Sequence, residues 1–185
     1  MNTARFDRFV SAISALVDRT TDEPALLREG RALLAKLVRH DDWLPPRAEA
    51  AREDRYAQHL LHRDPQGRFS VVSFVWGPGQ RTPVHDHTVW GLVGVLRGAE
   101  RCEECTLHDG LPRLSGTAHV MQPGDVEAVS PTVGDWHRVS SACDEGLSVS
   151  IHVYGADIGR VRRHRLDEHG AVVGFVSGYD SEPAC

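Results

Sequence analysis

Residues 77–98 read GPGQRTPVHDHTVWGLVGVLRG, from Gly77 to Gly98. Gly77-Pro78-Gly79 is turn chemistry, Arg97-Gly98 is a second turn, and the apolar runs between them have the length of strands rather than helices. His85 and His87 stand at i and i+2 around Asp86. On an extended strand that spacing turns both imidazoles to one face and Asp86 to the other, so one metal ion can take both rings from a single strand. A third ligand must come from elsewhere in the chain. His137, in the segment PTVGDWHRVSS, follows a turn at the start of another strand-like run.

The same texture continues on both sides. Strands are predicted near 56–62, 68–76, 83–87, 90–97, 100–107, 117–121, 125–129, 136–141, 147–154 and 171–176, with turns at Gly67, His108-Asp109-Gly110 and Pro123-Gly124-Asp125. Many short strands with close turns describe an antiparallel sandwich or barrel. Upstream, Phe6, Phe9, Val10, Ile13, Leu16 and Val17 recur at helical spacing, which predicts a helix over 4–18. Thr21-Asp22-Glu23-Pro24 then supplies a cap and an early proline before the apolar positions Leu26 to Val38 of a second helix, which Pro45-Pro46 stops. A short polar helix is expected over 47–54. No repeat or long linker divides the chain, so the expected organisation is one domain over 1–185, with a helical N-terminal segment over 1–54 and a β-barrel over 55–178.

A chain of 185 residues builds a core without disulfide staples. Its 26 acidic against 21 basic residues leave a net charge of -5, which offers no basic surface for nucleic acid. No apolar run approaches a membrane span, and Arg5, Asp7 and Arg8 interrupt the N-terminus where a signal peptide needs an uncharged core. The 4 cysteines suit a reducing compartment. These features predict a cytoplasmic protein that meets small molecules, with neither nucleic acid nor membrane as partner; the oligomeric state stays open.

The frame around the histidine pair resembles the first cupin motif: Gly79, five residues, then His85-Asp86-His87, with Gly98 closing the next turn. Pro131, Gly134 and His137 follow the order of the second motif, with Ser141 where Asn is usual. The resemblance implies a mainly β fold, a cupin double-stranded β-helix barrel or jelly-roll. Where the first motif carries Glu this chain has Gly91, so the implied ligand set is three neutral imidazoles with no carboxylate. Such a set leaves about three of six octahedral positions open and keeps the full charge of a divalent ion until an anion arrives. A thiolate is a soft anion whose deprotonation a divalent metal favours.

Ser150-Ile151-His152-Val153-Tyr154 alternates, with Ser, His and Tyr on one face and the apolar pair on the other. Inside a barrel the polar trio would form a hydrogen-bonded relay. With this trio, the stretch from Tyr56 to Phe175 is similar to bacterial thiol dioxygenases of the cysteine dioxygenase superfamily. The resemblance implies non-haem Fe(II) on His85, His87 and His137, and a catalytic relay of Ser150, His152 and Tyr154. Spacing alone does not choose iron over zinc, nickel or manganese. Cysteine dioxygenase proper has a cross-linked cysteine where Gly91 stands and a carboxylate-gripping arginine where Gln58 stands. Gln58 cannot make a bidentate charged pair. The pattern is closer to 3-mercaptopropionate dioxygenases, which carry Gln there and are thought to bind the carboxylate through an arginine after the trio, for which Arg163 in GRVRRHRL is the choice, with Arg160, Arg162 and Arg165 as neighbours.

The implied reaction joins a small thiol carboxylate and O2 to give the sulfinate, with 3-mercaptopropionate first and cysteine or mercaptosuccinate as alternatives. A non-catalytic small-molecule-binding cupin, or a zinc- or nickel-dependent isomerase or lyase, stands outside that class. Cys102-Glu103-Glu104-Cys105 is read as structural, because strand alternation sends the two thiols to opposite faces. His59, His62, His108, His119, His164 and His169 have no partner at ligand spacing and are expected to be ordinary. Trp90 is expected in the core, and Asp86 away from the metal.

Overall fold

Gly30 and Gly94 decide how closely the helices lie on the barrel. The protein is described here over residues 2–183 of a computed structural model. It opens with α1 (Thr3–Arg19) and α2 (Glu23–Val38). Asp22 caps α2 by accepting from the Ala25 N–H at 3.0 Å, with Pro24 in its first turn. The strands are β1 (Ala57–Arg63), β2 (Ser70–Trp76), β3 (Gly91–Arg97), β4 (Glu100–His108), β5 (Leu111–Met121), β6 (Val126–Val129), β7 (His137–Ser141), β8 (Ser148–Tyr154), β9 (Arg163–Leu166) and β10 (Val172–Phe175). A Cβ on Gly30 would lie 2.7 Å from Leu92 Cδ1, and one on Gly94 3.0 Å from Leu34 Cγ. Bare backbone at both places lets α2 seat directly against β3.

Antiparallel pairing builds one sheet in the order β1-β2-β8-β3-β6 and another in the order β5-β4-β7, with β9 and β10 as a hairpin. These form the jelly-roll barrel expected from the sequence, mainly β with helices at the N-terminus. Alternation sorts the core into two layers. Val71, Val75, Ile151 and Val153 face the helices and pack with Leu34, Leu37 and Phe9. Val72, Phe74, Trp76 and Tyr154 face the barrel interior with Leu60, Val139 and Ile158. All seven residues of β2 and of β8 are buried for this reason.

Four expectations change. The strand over 83–87 is instead an irregular extended segment held by isolated bridges. His85 exchanges backbone bonds with His137 (3.0 and 3.1 Å), Asp86 N–H donates to the His164 carbonyl (3.0 Å), and Leu166 N–H to that of Val84 (2.9 Å). Pro83 has no N–H to give, and Thr88 at φ 60° ends the extension. The segment joins β7 to β9 all the same. The helix over 47–54 shrinks to one 3-10 turn, Pro46–Ala48, because the chain is drawn under the sheet: Ala48 is buried and its carbonyl accepts from Ser73 Oγ at 2.9 Å. The strand read at 117–121 starts at Leu111, its first half being exposed, and the basic segment after Tyr154 contains strand β9. No helix among the described residues is long and apolar enough to cross a membrane.

Candidate metal centre

The bridges that join residue 85 to β7 bring His85, His87 and His137 together. Their ring centroids lie 4.8–4.9 Å apart, one ring nitrogen of each lies within 4.8 Å of the others, and all three are buried. Each Nδ1 has an outer partner: the Pro83 carbonyl for His85 (3.1 Å), the Asp135 carboxylate for His87 (2.9 Å), and Cys102 Sγ for His137 (3.5 Å). A proton held on Nδ1 leaves the Nε2 lone pair free to face inward. Burial, reinforced by the neighbouring imidazoles, pushes His85 well below its ordinary pKa and His137 down to about 3. Converging imidazoles whose outer nitrogens are engaged fit a divalent transition metal.

Asp135 is a residue the sequence reading missed. Besides the His87 ring it accepts from the backbone N–H of His87 and of Thr88, each at 2.9 Å. Burial would raise its pKa, but the hydrogen bonds from His87 and the two backbone donors outweigh it and hold the carboxyl below its ordinary value. Only its place after Gly134 and two residues before His137 could have marked it. Asp86 points away from the imidazoles, where it accepts from the backbone (2.6 Å) and ring (2.9 Å) of His164 and so ties the histidine segment to β9.

The inward face of β8 supplies Ser150, His152 and Tyr154, all buried. Ser150 Oγ lies 2.8 Å from His152 Nε2, and His152 Nδ1 lies 2.7 Å from the Tyr154 hydroxyl. Phe74 stacks on His152 with centroids 4.1 Å apart, and the Tyr154 ring stacks on His87 at 5.5 Å. Burial keeps His152 neutral and pushes the Tyr154 phenol up. Gly91 explains the room for that ring: a Cβ there would lie 2.8 Å from Tyr154 Cδ1 and 3.0 Å from Val129 Cγ2. Behind the relay sits Glu100, also missed from sequence. It is 1% exposed, Ser148 donates to its Oε1 at 3.1 Å, and its Oε2 has no hydrogen-bond partner among the described residues. Burial pushes its carboxyl up to about 7, against the lowering effect of nearby Ser150, Ser148 and Trp76.

A cavity of about 310 Å³ opens onto the three imidazoles and Tyr154, with Gln58 and Arg163 in its wall. Arg163 is 4% exposed. Its guanidinium donates to Ser177 Oγ at 2.7 Å and lies 4.7 Å over the Phe175 ring, yet it has no carboxylate partner among the described residues, and its Nε is unpartnered. Gln58 is buried with its Oε1 unpartnered among the described residues, while its backbone N–H donates to Asp180 at 2.8 Å. Of the neighbouring arginines, Arg165 and Arg55 also line the cavity, whereas Arg160 pairs with Asp157 at the surface and Arg162 lies against Gly174.

A bulge between Glu103 and Cys105 breaks the alternation of β4, so Cys102 and Cys105 border one cavity instead of opposite faces. His119 is likewise not isolated: it touches Glu127, and both lie near Cys102.

No protein-family model matches the chain. Among solved structures it is similar to a cupin 2 domain-containing protein from Halorhodospira halophila (19% identity over 71% of this chain and 82% of that one, TM-score 0.48). A cupin-like protein from Thermotoga maritima is 21% identical over 74% of this chain and 90% of that one (TM-score 0.47), and a cupin superfamily protein from Desulfitobacterium hafniense is 16% identical over 64% and 94% (TM-score 0.46).

Proposed function

We propose that this protein is an Fe(II)-dependent thiol dioxygenase that converts a small thiol carboxylate, with 3-mercaptopropionate as the first choice, and O2 to the corresponding sulfinate. The observation that carries the proposal is the buried Arg163 guanidinium, without a carboxylate partner among the described residues, in the same cavity as three converging imidazoles. A cation buried without a counter-ion is costly, and a bound anion removes that cost.

The two functional groups of such a substrate match two features of the cavity, its imidazoles and its guanidinium. Arg163 takes the carboxylate through charged hydrogen bonds, and Gln58 Oε1 accepts from a donor on substrate or water. His85, His87 and His137 would hold iron, which when bound would activate the thiolate and O2 toward each other. Phe74, Trp76 and the Tyr154 ring wall the cavity and limit water around the sulfur. Tyr154 presents its hydroxyl beside His87, and the relay through His152 and Ser150 holds that hydroxyl in place. Both oxygen atoms end on sulfur, so the thiolate and O2 balance the sulfinate without a further reductant. The residues act by positioning the reactants.

The test is an oxygen electrode with mass-spectrometric detection of the product, on iron-loaded protein given 3-mercaptopropionate, cysteine, mercaptosuccinate and cysteamine in turn. Oxygen uptake with one sulfinate formed per O2 is expected for a thiol carboxylate. Absence of uptake with all four sinks the proposal.

A further inference from the structure

We infer that Cys102, His119 and Glu127 form a second metal site, distinct from the three-histidine centre, suited to zinc or a similarly thiophilic divalent ion. One ligand atom of each lies within 4.8 Å of the others. Cys102 on β4 and His119 on β5 are directly paired across the ladder, and Glu127 comes from β6. β5 and β6 are the outer strands of the two different sheets, so the three donors meet where the barrel's sheets come edge to edge.

Two features of these residues go beyond proximity. Cys102 is 5% exposed, and the Nε2 of His119 is shielded from solvent with no hydrogen-bond partner among the described residues, although it lies against the Glu127 carboxylate. A thiolate, an imidazole and a carboxylate are a zinc-type donor set, and the two anionic donors balance a divalent charge. The three-histidine centre has neither sulfur nor charge, so the two sites differ in the ion they prefer.

The donors border a cavity of about 840 Å³ that has His137 in its wall, as the smaller one does, and is also lined by Arg28 and Arg31 of α2. An ion there keeps a fourth position open to that cavity. Binding releases the Cys102 thiol proton to solvent as the metal–sulfur bond forms. Cys102 Sγ lies 3.5 Å from His137 Nδ1. A metal-bound sulfur has no proton to donate to that nitrogen, so the outer ion would hold His137 as an Nδ1–H donor with Nε2 turned to the inner centre.

The test uses the full chain, stripped by a chelator and titrated with Co²⁺ and Zn²⁺. Wild type and a His85→Ala/His87→Ala variant should both give the thiolate-to-cobalt charge-transfer band in the near ultraviolet. Cys102→Ser and His119→Ala/Glu127→Ala should lose the band and one equivalent of Zn²⁺, while Cys105→Ser keeps both. Circular dichroism checks that each variant is folded, and the half-buried His119/Glu127 pair gives a variant that removes less of the core than Cys102→Ser does. Absence of the band in wild type, or its survival in His119→Ala/Glu127→Ala, overturns the assignment.

Discussion

A neutral imidazole has one N–H to give, and that limit sets what Tyr154 can do. Ser150 Oγ accepts from Trp76 Nε1–H at 3.3 Å, and in one tautomer of the relay the serine gives its proton to His152 Nε2 rather than to Glu100. His152 then carries its proton on Nδ1 and donates to the phenol oxygen, which leaves the phenol proton pointing away from the imidazole. Tyr154→Phe is therefore expected to bind iron as wild type does and to lower turnover by about 10–100-fold, as loss of an outer hydrogen-bonding partner typically does; metal analysis beside kcat checks it. Arg163→Gln should reduce kcat/KM for 3-mercaptopropionate by about 10–100-fold, the loss of a charged hydrogen bond worth about 1.5–3 kcal/mol. Cysteamine, which has no carboxylate, is the control, and an equal loss for both would remove Arg163 from the carboxylate. Glu100 gives a pH signature. Its proton is held up to about 7 in the fold, above the ordinary value of 4.5, so this residue's contribution is full below the ordinary carboxylate range and falls as pH rises through about 7. Glu100→Gln should flatten that decline and raise the melting temperature near pH ~8, by an amount corresponding to at most about 3 kcal/mol, measured by thermal melts across the range.

At the scale of elements, close contact between α2 and β3 rests on missing side chains. Gly94→Val would drive methyls into Leu34 and Val38, which already lie 3.0–3.1 Å from a Cβ built there. An overpacking cost of about 1–3 kcal/mol is expected, read as a lower denaturant midpoint with unchanged slope. The elements that were legible in the sequence are those with clean periodicity: α1, α2, β2 and β8 carry apolar spacing that packing reinforces. β9 was not, because Arg163-His164-Arg165-Leu166 has the composition of a solvated turn and becomes a strand through pairing with β10 and the Asp86 clamp. The histidine segment was legible as extended chain but not as bridges, since Pro83 and Thr88 act on hydrogen bonding and leave the hydropathy pattern alone. For the site, spacing exposed His85, His87, His137 and the β8 trio. Asp135 and Glu100 stayed hidden because their roles depend on which strands become neighbours.

For the molecule as a whole, the three imidazoles come from an irregular segment and from β7, about fifty residues apart in the chain. An ion bound there closes a long loop only in the folded state, and at 100 times its dissociation constant adds about 2.7 kcal/mol. For a chain of this size that is a rise of roughly 5–10 °C in melting temperature. The rise should be present for wild type on adding Fe²⁺ under anaerobic conditions and reduced in His87→Ala, as differential scanning calorimetry can measure.

The bridge between His85 and Arg165 gives the barrel a sense of length. Residue 85 presents an imidazole to the smaller cavity, and its backbone partner stands two positions along β9 from Arg163, which lines the same cavity. Covalent chain and a strand-to-strand pairing fix that span, and neither stretches readily. On the proposed function, a guest that touches both the imidazoles and Arg163 would be gauged by the number of carbons between its anion and its other donor: one carbon too few would leave one contact unmade, and one too many would have to buckle. Such selectivity would be that of a calliper, set in backbone before any side chain chooses a functional group.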